Sequence, residues 1–290
     1  MKFATFQWGG KRNVGVLSPD GAEITPLAVD ASRGLLALVE QIGGGGAMPA
    51  AASARLPLAA VQLEAPLPRL RRSIFCVGRN YRQHAKELAA SVFKDSAKTE
   101  DGWPMVFMKL PECVVAPGST VELPRSERGF VSEQIDYEAE LAVVIGRGGK
   151  NIDRSRALEH VFGYTIVNDV TARDVQMRHS QWDLGKNFDT FCPMGPYLVT
   201  PDDCDGTDTR VRLWVNGELR QDAQTTDLIF DIPSLIETCS RGITLQPGDV
   251  IATGTPSGVG LGMTPPRFLR AGDVVRIEID GIGVLENPVG

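Results

Sequence analysis

The chain has only three histidines and five cysteines in 290 residues, and no two cysteines form a CxxC pair. That excludes a disulfide framework and a cysteine- or histidine-rich zinc site. Cys76, Cys113, Cys192, Cys204 and Cys239 therefore read as reduced thiols used in packing. Basic residues are not in excess either. The formal net charge is −6 and the one dense basic run is PRLRR at 68–72, whereas a nucleic-acid surface needs a basic excess or a dense patch. No stretch approaches the ~20 apolar residues needed to span a bilayer, and the opening MKFATFQWGGKR lacks the apolar centre of a signal peptide. The expectation is a cytoplasmic protein with no nucleic-acid or membrane partner, in which any metal is held by oxygen.

With 42% hydrophobic and 23% charged residues, the chain can build one large core plus a small appended unit. KFATFQ, NVGVLS and EITPL have strand character, and SRGLLALVEQI has helical spacing that stops at Gly43. GGGGAMPAAASA then loses all periodicity, and no GK[ST] follows to make it a phosphate loop. A boundary near 65 divides a small β-rich N-terminal domain, 1–65, from a larger domain, 66–290. Beyond residue 73 strand signals dominate: SIFCVG, MVFMKL, IDYEAELAVVIG, GYTIVND, YLVT, RVRLWV, DVIATG and VVRIEID. Helical candidates are few: NYRQHAKELAA, RSRALEHV, TARDVQM and DIPSLIETCSRG. Strands that do not alternate with helices predict an α+β fold with a folded-over mixed sheet, not a doubly wound one. The polar segment 90–103 has the length and composition of a mobile loop.

DYEAEL places Asp136, Glu138 and Glu140 at alternate positions before an apolar run. In a strand these acids share one face, roughly 6–7 Å apart, and repel one another. A solvated edge strand is one explanation; a bound divalent cation is the other. Asp169, where GYTIVND passes into a short helix, adds a third carboxylate to the E-x-E pair. Three protein oxygens leave room for water or substrate oxygens in octahedral coordination, as magnesium and manganese prefer.

These motifs, together with SIFCVGRNYRQHAKE, VFMKL, GKNFDTFCPMGP and DVIATGTPSGVG, resemble the fumarylacetoacetate hydrolase superfamily over about residues 70–290, in particular its acylpyruvase-like members. The resemblance implies a rolled mixed β-sheet, a homodimer, and Mg²⁺ or Mn²⁺ at Glu138, Glu140 and Asp169. It implies that His84, oriented by Glu87, activates water when a lid spanning about 80–103 closes, and that Lys186 stabilises an oxyanion. Gln176 and Thr255 match substrate-contacting positions, and Arg79 and Tyr81 adjoin the His84 motif. Leu110 follows Lys109 where the family often has proline. IFCVG lacks the extra metal-binding aspartate of the animal fumarylacetoacetate enzymes, which places the chain outside that branch.

The activity implied is metal-dependent hydrolysis of an acylpyruvate, a small 2-oxo acid, through pyruvate enolate. The alternative is decarboxylation or tautomerisation of oxaloacetate or an unsaturated 2-oxo-dicarboxylate, which uses most of the same groups. A non-catalytic metal-binding protein is disfavoured by the intact set of His84, Glu87 and Lys186.

Overall fold

In the computed structural model, which describes residues 1–91, 102–178 and 180–290, most regular structure is strand. The larger sheet has twelve strands. Ten of them follow one another in the spatial order Leu56–Pro57, Glu23–Pro26, Lys11–Leu17, Lys2–Trp8, Cys192–Val199, Val161–Asn168, Ala139–Ile145, Val250–Ala252, Ile74–Gly78, Met105–Lys109. Along this path Val250–Ala252 and Ile74–Gly78 pair parallel, while their outer neighbours pair antiparallel, so the sheet is mixed. A second, four-stranded sheet is ordered Glu218–Gln224, Arg210–Val215, Val274–Ile279, Gly283–Pro288. Its Asn216-Gly217 turn takes positive φ at both residues, +52° and +78°, as the NG hairpin signal requires. This is the α+β architecture expected from the strand-rich pattern.

The strands of residues 2–26 join the larger sheet directly, with Lys2 opposite Val199 and Phe3 opposite Leu198. The Phe3 and Phe162 rings meet at 6.1 Å. Helices are short: Leu36–Gly43, Arg82–Ser91, Arg173–Gln176, Asp183–Lys186 and Ile232–Ser240. RSRALEH winds as a 3-10 helix, Arg154–His160, capped by the Asp153 carboxylate on Ser155 N. Asp231 caps Ile232–Ser240 by accepting from Ser234 N, as its position before the apolar run predicts. Among the described residues no helix is long and apolar enough to cross a membrane. Most of the expected mobile loop, 90–103, and the middle of the expected lid, 80–103, fall on 92–101, outside the described residues.

The acidic strand is an inner one. Ala139–Ile145 lies between Val161–Asn168 and Val250–Ala252, and all seven of its residues are buried. The solvated-edge explanation for its acids therefore fails. The strand is also interrupted: Ile135–Asp136 pairs separately with Thr171–Ala172. At the gap, Glu138 N donates to Asn168 Oδ1 at 3.0 Å and Asp169 N to Glu138 O at 2.9 Å. A side-chain amide thus takes one ladder position, leaving both acidic side chains at adjoining strand ends. Leu141, fully buried on this strand, packs in the main core. Leu141→Ala is expected to cost about 2–5 kcal/mol, read as a lower midpoint in chemical denaturation.

Candidate metal and substrate site

Antiparallel pairing puts Ala139 opposite Asn168, so the residues flanking them converge. One oxygen each from Glu138, Glu140 and Asp169 lies within 4.8 Å of the others, and all three residues are buried. Lys186 Nζ, at the end of Asp183–Lys186, lies 2.7 Å from both Glu138 Oε2 and Asp169 Oδ2. Lys109 Nζ lies 2.9 Å from Asp169 Oδ1, and Arg173 Nη2 2.7 Å from Glu138 Oε1. His84, on the first turn of Arg82–Ser91, has its Nδ1 at 3.1 Å from Glu87 Oε2. Glu87 is fixed in turn by Gly258 N, at 3.0 Å from Oε1.

These groups line one pocket: His84, Glu138, Glu140 and Lys186 with Arg79, Arg173, Gln176 and Thr255 on the polar side, and Val77, Gly78, Phe107 and Trp182 on the apolar side. Its empty volume is about 330 Å³, including the part open to solvent. Residues 73–290 match the family described as Fumarylacetoacetate (FAA) hydrolase C-terminal.

The chain belongs to the fumarylacetoacetate hydrolase family. It is 51% identical over 234 residues to oxaloacetate tautomerase YisK of Bacillus subtilis, spanning 80% of this chain and 74% of the relative. Over 237 residues it is 44% identical to human mitochondrial oxaloacetate tautomerase FAHD2A, spanning 81% of this chain and 71% of the relative. Among solved structures, a fumarylacetoacetate hydrolase from Exiguobacterium antarcticum superimposes with a TM-score of 0.84 at 40% identity, covering 100% of this chain and 99% of that one. Being an enzyme of this family, the chain has its candidate chemistry where the sequence motifs converge.

The electrostatics of this family member single out Glu140. Of four buried carboxylates, Asp136, Glu138 and Asp169 are each ion-paired with Lys109, Arg173 or Lys186, whereas Glu140 makes no ion pair among the described residues. Burial works against ionising Glu138, but Lys186 and Arg173 outweigh it and hold its carboxyl well below the usual range. Burial, then Asp169 and Glu138, push the Glu140 carboxyl well above it. Its one hydrogen-bond donor among the described residues is Gly254 N, at 2.9 Å. Clustered hard oxygens with one carboxylate unpaired suit a divalent cation, and each carboxylate oxygen keeps a second lone pair for one. The three acids fit a metal.

Asp136 does something else. It accepts from Arg173 Nε at 2.8 Å, Gly260 N at 2.7 Å and Leu261 N at 3.0 Å, anchoring the glycine-rich loop to the acidic strand. Tyr81, which adjoins His84 in sequence, is buried and bridges Leu228; it does not line the pocket. Three contributors carry no role in the sequence reading: Lys109 and Arg173, which lie in VFMKL and TARDVQM without being singled out as site residues, and Gln221. Gln221 belongs to the four-stranded sheet, is fully buried, accepts from Ala139 N at 2.9 Å, and donates to Thr255 Oγ1 and Pro256 O, both at 2.8 Å. It thus joins the backbone between Glu138 and Glu140 to the loop carrying Thr255. The pairing is long-range, and no local pattern announces it.

A carboxyl whose folded pKa is raised subtracts stability as pH rises through its unfolded value of about 4.3 toward the folded one. Removing that ionisation has the opposite sign. Metal-free Glu140→Gln is therefore expected to melt higher than metal-free wild type at neutral pH, while gaining less from added Mg²⁺ or Mn²⁺. Melting curves with chelator and with each metal check this, and a lower melting temperature for the metal-free variant would contradict it.

Proposed function

We propose that this protein is a divalent-metal-dependent oxaloacetate tautomerase, interconverting the enol and keto forms of a four-carbon 2-oxo dicarboxylate. The observation that carries this reading is the 51% and 44% identity to two proteins from distant organisms that bear that activity in their names. The sequence expectation of acylpyruvate hydrolysis gives way to its alternative. Glu138, Glu140 and Asp169 would hold Mg²⁺ or Mn²⁺, which would supply Lewis acidity to polarise a 2-oxo group and favour its enolate.

The chain's own residues handle the proton and the carboxylates. With Nδ1 engaged by Glu87, the His84 imidazole has Nε2 left for the pocket, and Glu87 holds the ring's orientation. In the ketonising direction Nε2 delivers a proton to C3 of the enol; in the enolising direction it removes one. The O2 proton passes to or from solvent. Lys186, tied by two of its three N–H donors to Glu138 and Asp169, has a third for the developing enolate oxygen. Arg79, Gln176 and Thr255 supply donors for the two substrate carboxylates. No water needs to attack carbon, so the tautomerase reading asks less of the pocket than hydrolysis does.

Hydrolysis of acylpyruvates is the second reading, supported by the likeness to the Exiguobacterium fumarylacetoacetate hydrolase over the full chain. Enol-oxaloacetate decay followed in the ultraviolet, beside pyruvate release from a panel of acylpyruvates, separates the two. Rapid metal-dependent ketonisation with slow pyruvate release is expected; the reverse would favour the hydrolase. His84→Ala is expected to lose about 10²- to 10⁴-fold in ketonisation while still binding metal and oxalate. A near wild-type rate in that variant would remove His84 from the mechanism.

A further inference from the structure

The apolar side of the pocket takes part in none of these steps. Trp182 packs so tightly on Gly78 that a Cβ at 78 would come within 2.6 Å of its Cζ3 and 3.0 Å of its Cη2. Phe107 meets the indole nearly edge-on, with centroids 5.4 Å apart and planes at 65°. Lys186 Nζ lies 4.8 Å from the centroid of the same Phe107 ring. Trp182 is also the residue that opens the helix Asp183–Lys186, and Gly185 N donates to its carbonyl at 2.9 Å. That helix is pressed onto Arg173–Gln176: a Cβ at Gly185 would lie 2.6 Å from Gln176 N. The indole, the candidate enolate-stabilising lysine and Gln176 are therefore parts of one rigid corner.

Building on the tautomerase reading, we propose that Trp182 determines specificity, its indole closing the pocket to 2,4-dioxo acids with longer apolar tails while leaving room for a four-carbon dicarboxylate. The indole stands against Gly78 and Phe107 on the apolar side of the pocket. A short dicarboxylate spends its far end on the polar lining of Arg79, Arg173, Gln176 and Thr255. A longer acyl tail needs an apolar channel, and on the apolar side Trp182 already occupies the space over Gly78 and beside Phe107. In a pocket of this kind one methylene is worth about 10- to 200-fold in discrimination, so trimming a whole indole is a large change.

The test uses full-length protein loaded with Mn²⁺, and titration calorimetry to obtain affinities for oxalate and for butyrylpyruvate. The ratio of the two affinities cancels losses common to both ligands. Trp182→Ala and Trp182→Leu are each expected to raise the butyrylpyruvate-to-oxalate ratio by about tenfold or more. Gly78→Ala, whose Cβ would press on the indole, is expected to change the ratio, and to lose that effect when combined with Trp182→Ala. An unchanged ratio in both Trp182 variants, or a Gly78→Ala effect that persists without the indole, would overturn the assignment. If wild type fails to ketonise enol-oxaloacetate and the ratio still rises in the variants, the activity is wrong and the wall stands.

Discussion

Everything at this site depends on how a buried cluster of carboxylates is tolerated. Ionised carboxylates are costly away from water unless paired, and here four of them lie together between inner strands. Lys109, Arg173 and Lys186 each sit within 3 Å of a carboxylate oxygen, yet none of them pairs with Glu140, whose carboxyl is held well above its usual range. A fold selected for stability alone would have little reason to keep such a cluster, since apolar residues of similar volume fill a core at no desolvation cost. The proposed cation-binding role would supply the reason, since a divalent ion would offset the cost of gathering these carboxylates.

The surrounding structure reads as the means of holding that cluster rigid while leaving one side open. The interrupted ladder at Glu138 and Asp169 brings both carboxylates to adjoining strand ends without exposing them. The second sheet contributes through Gln221, which fixes the strand between Glu138 and Glu140 and the loop at Thr255 at once. Its neighbour Arg220 sets the other half of the site. A Cβ at Gly258 would lie 1.8 Å from Arg220 O, and φ at 258 is +104°, so only glycine lets this loop pass close enough for Gly258 N to hold Glu87. His84, Glu87, Thr255 and the acidic strand are thereby referred to one scaffold.

The parts of this site legible in the sequence are those whose chemistry is local. Alternating acids beside an apolar run signal a strand with a charge problem, and His84 with Glu87 three residues on signals a dyad on one helix face. Strand-rich patterning likewise anticipates the α+β fold. Inner versus edge placement is not local, and DYEAEL on its own admits both readings; only the flanking strands decide. Asp136 looks identical to Glu138 and Glu140 by period, but the break at 137–138 turns it toward Gly260, Leu261 and Arg173 instead. Lys109, in VFMKL, becomes an ion-pair partner only because Met105–Lys109 ends the sheet beside Asp169. Gln221 and Trp182 lie in polar, unremarked segments, and their importance arises from contacts 34 residues or more away in the case of Gln221.

The central claim is that the acidic cluster is a site for one divalent cation. Counting Mn²⁺ bound per chain at equilibrium, from the free-ion electron paramagnetic resonance signal, tests it most directly. The account predicts one tightly bound ion in wild type and in His84→Ala, and its loss in Glu138→Gln, Glu140→Gln and Asp169→Asn. Tight binding of one ion in all three carboxylate variants, or none in wild type, would contradict it.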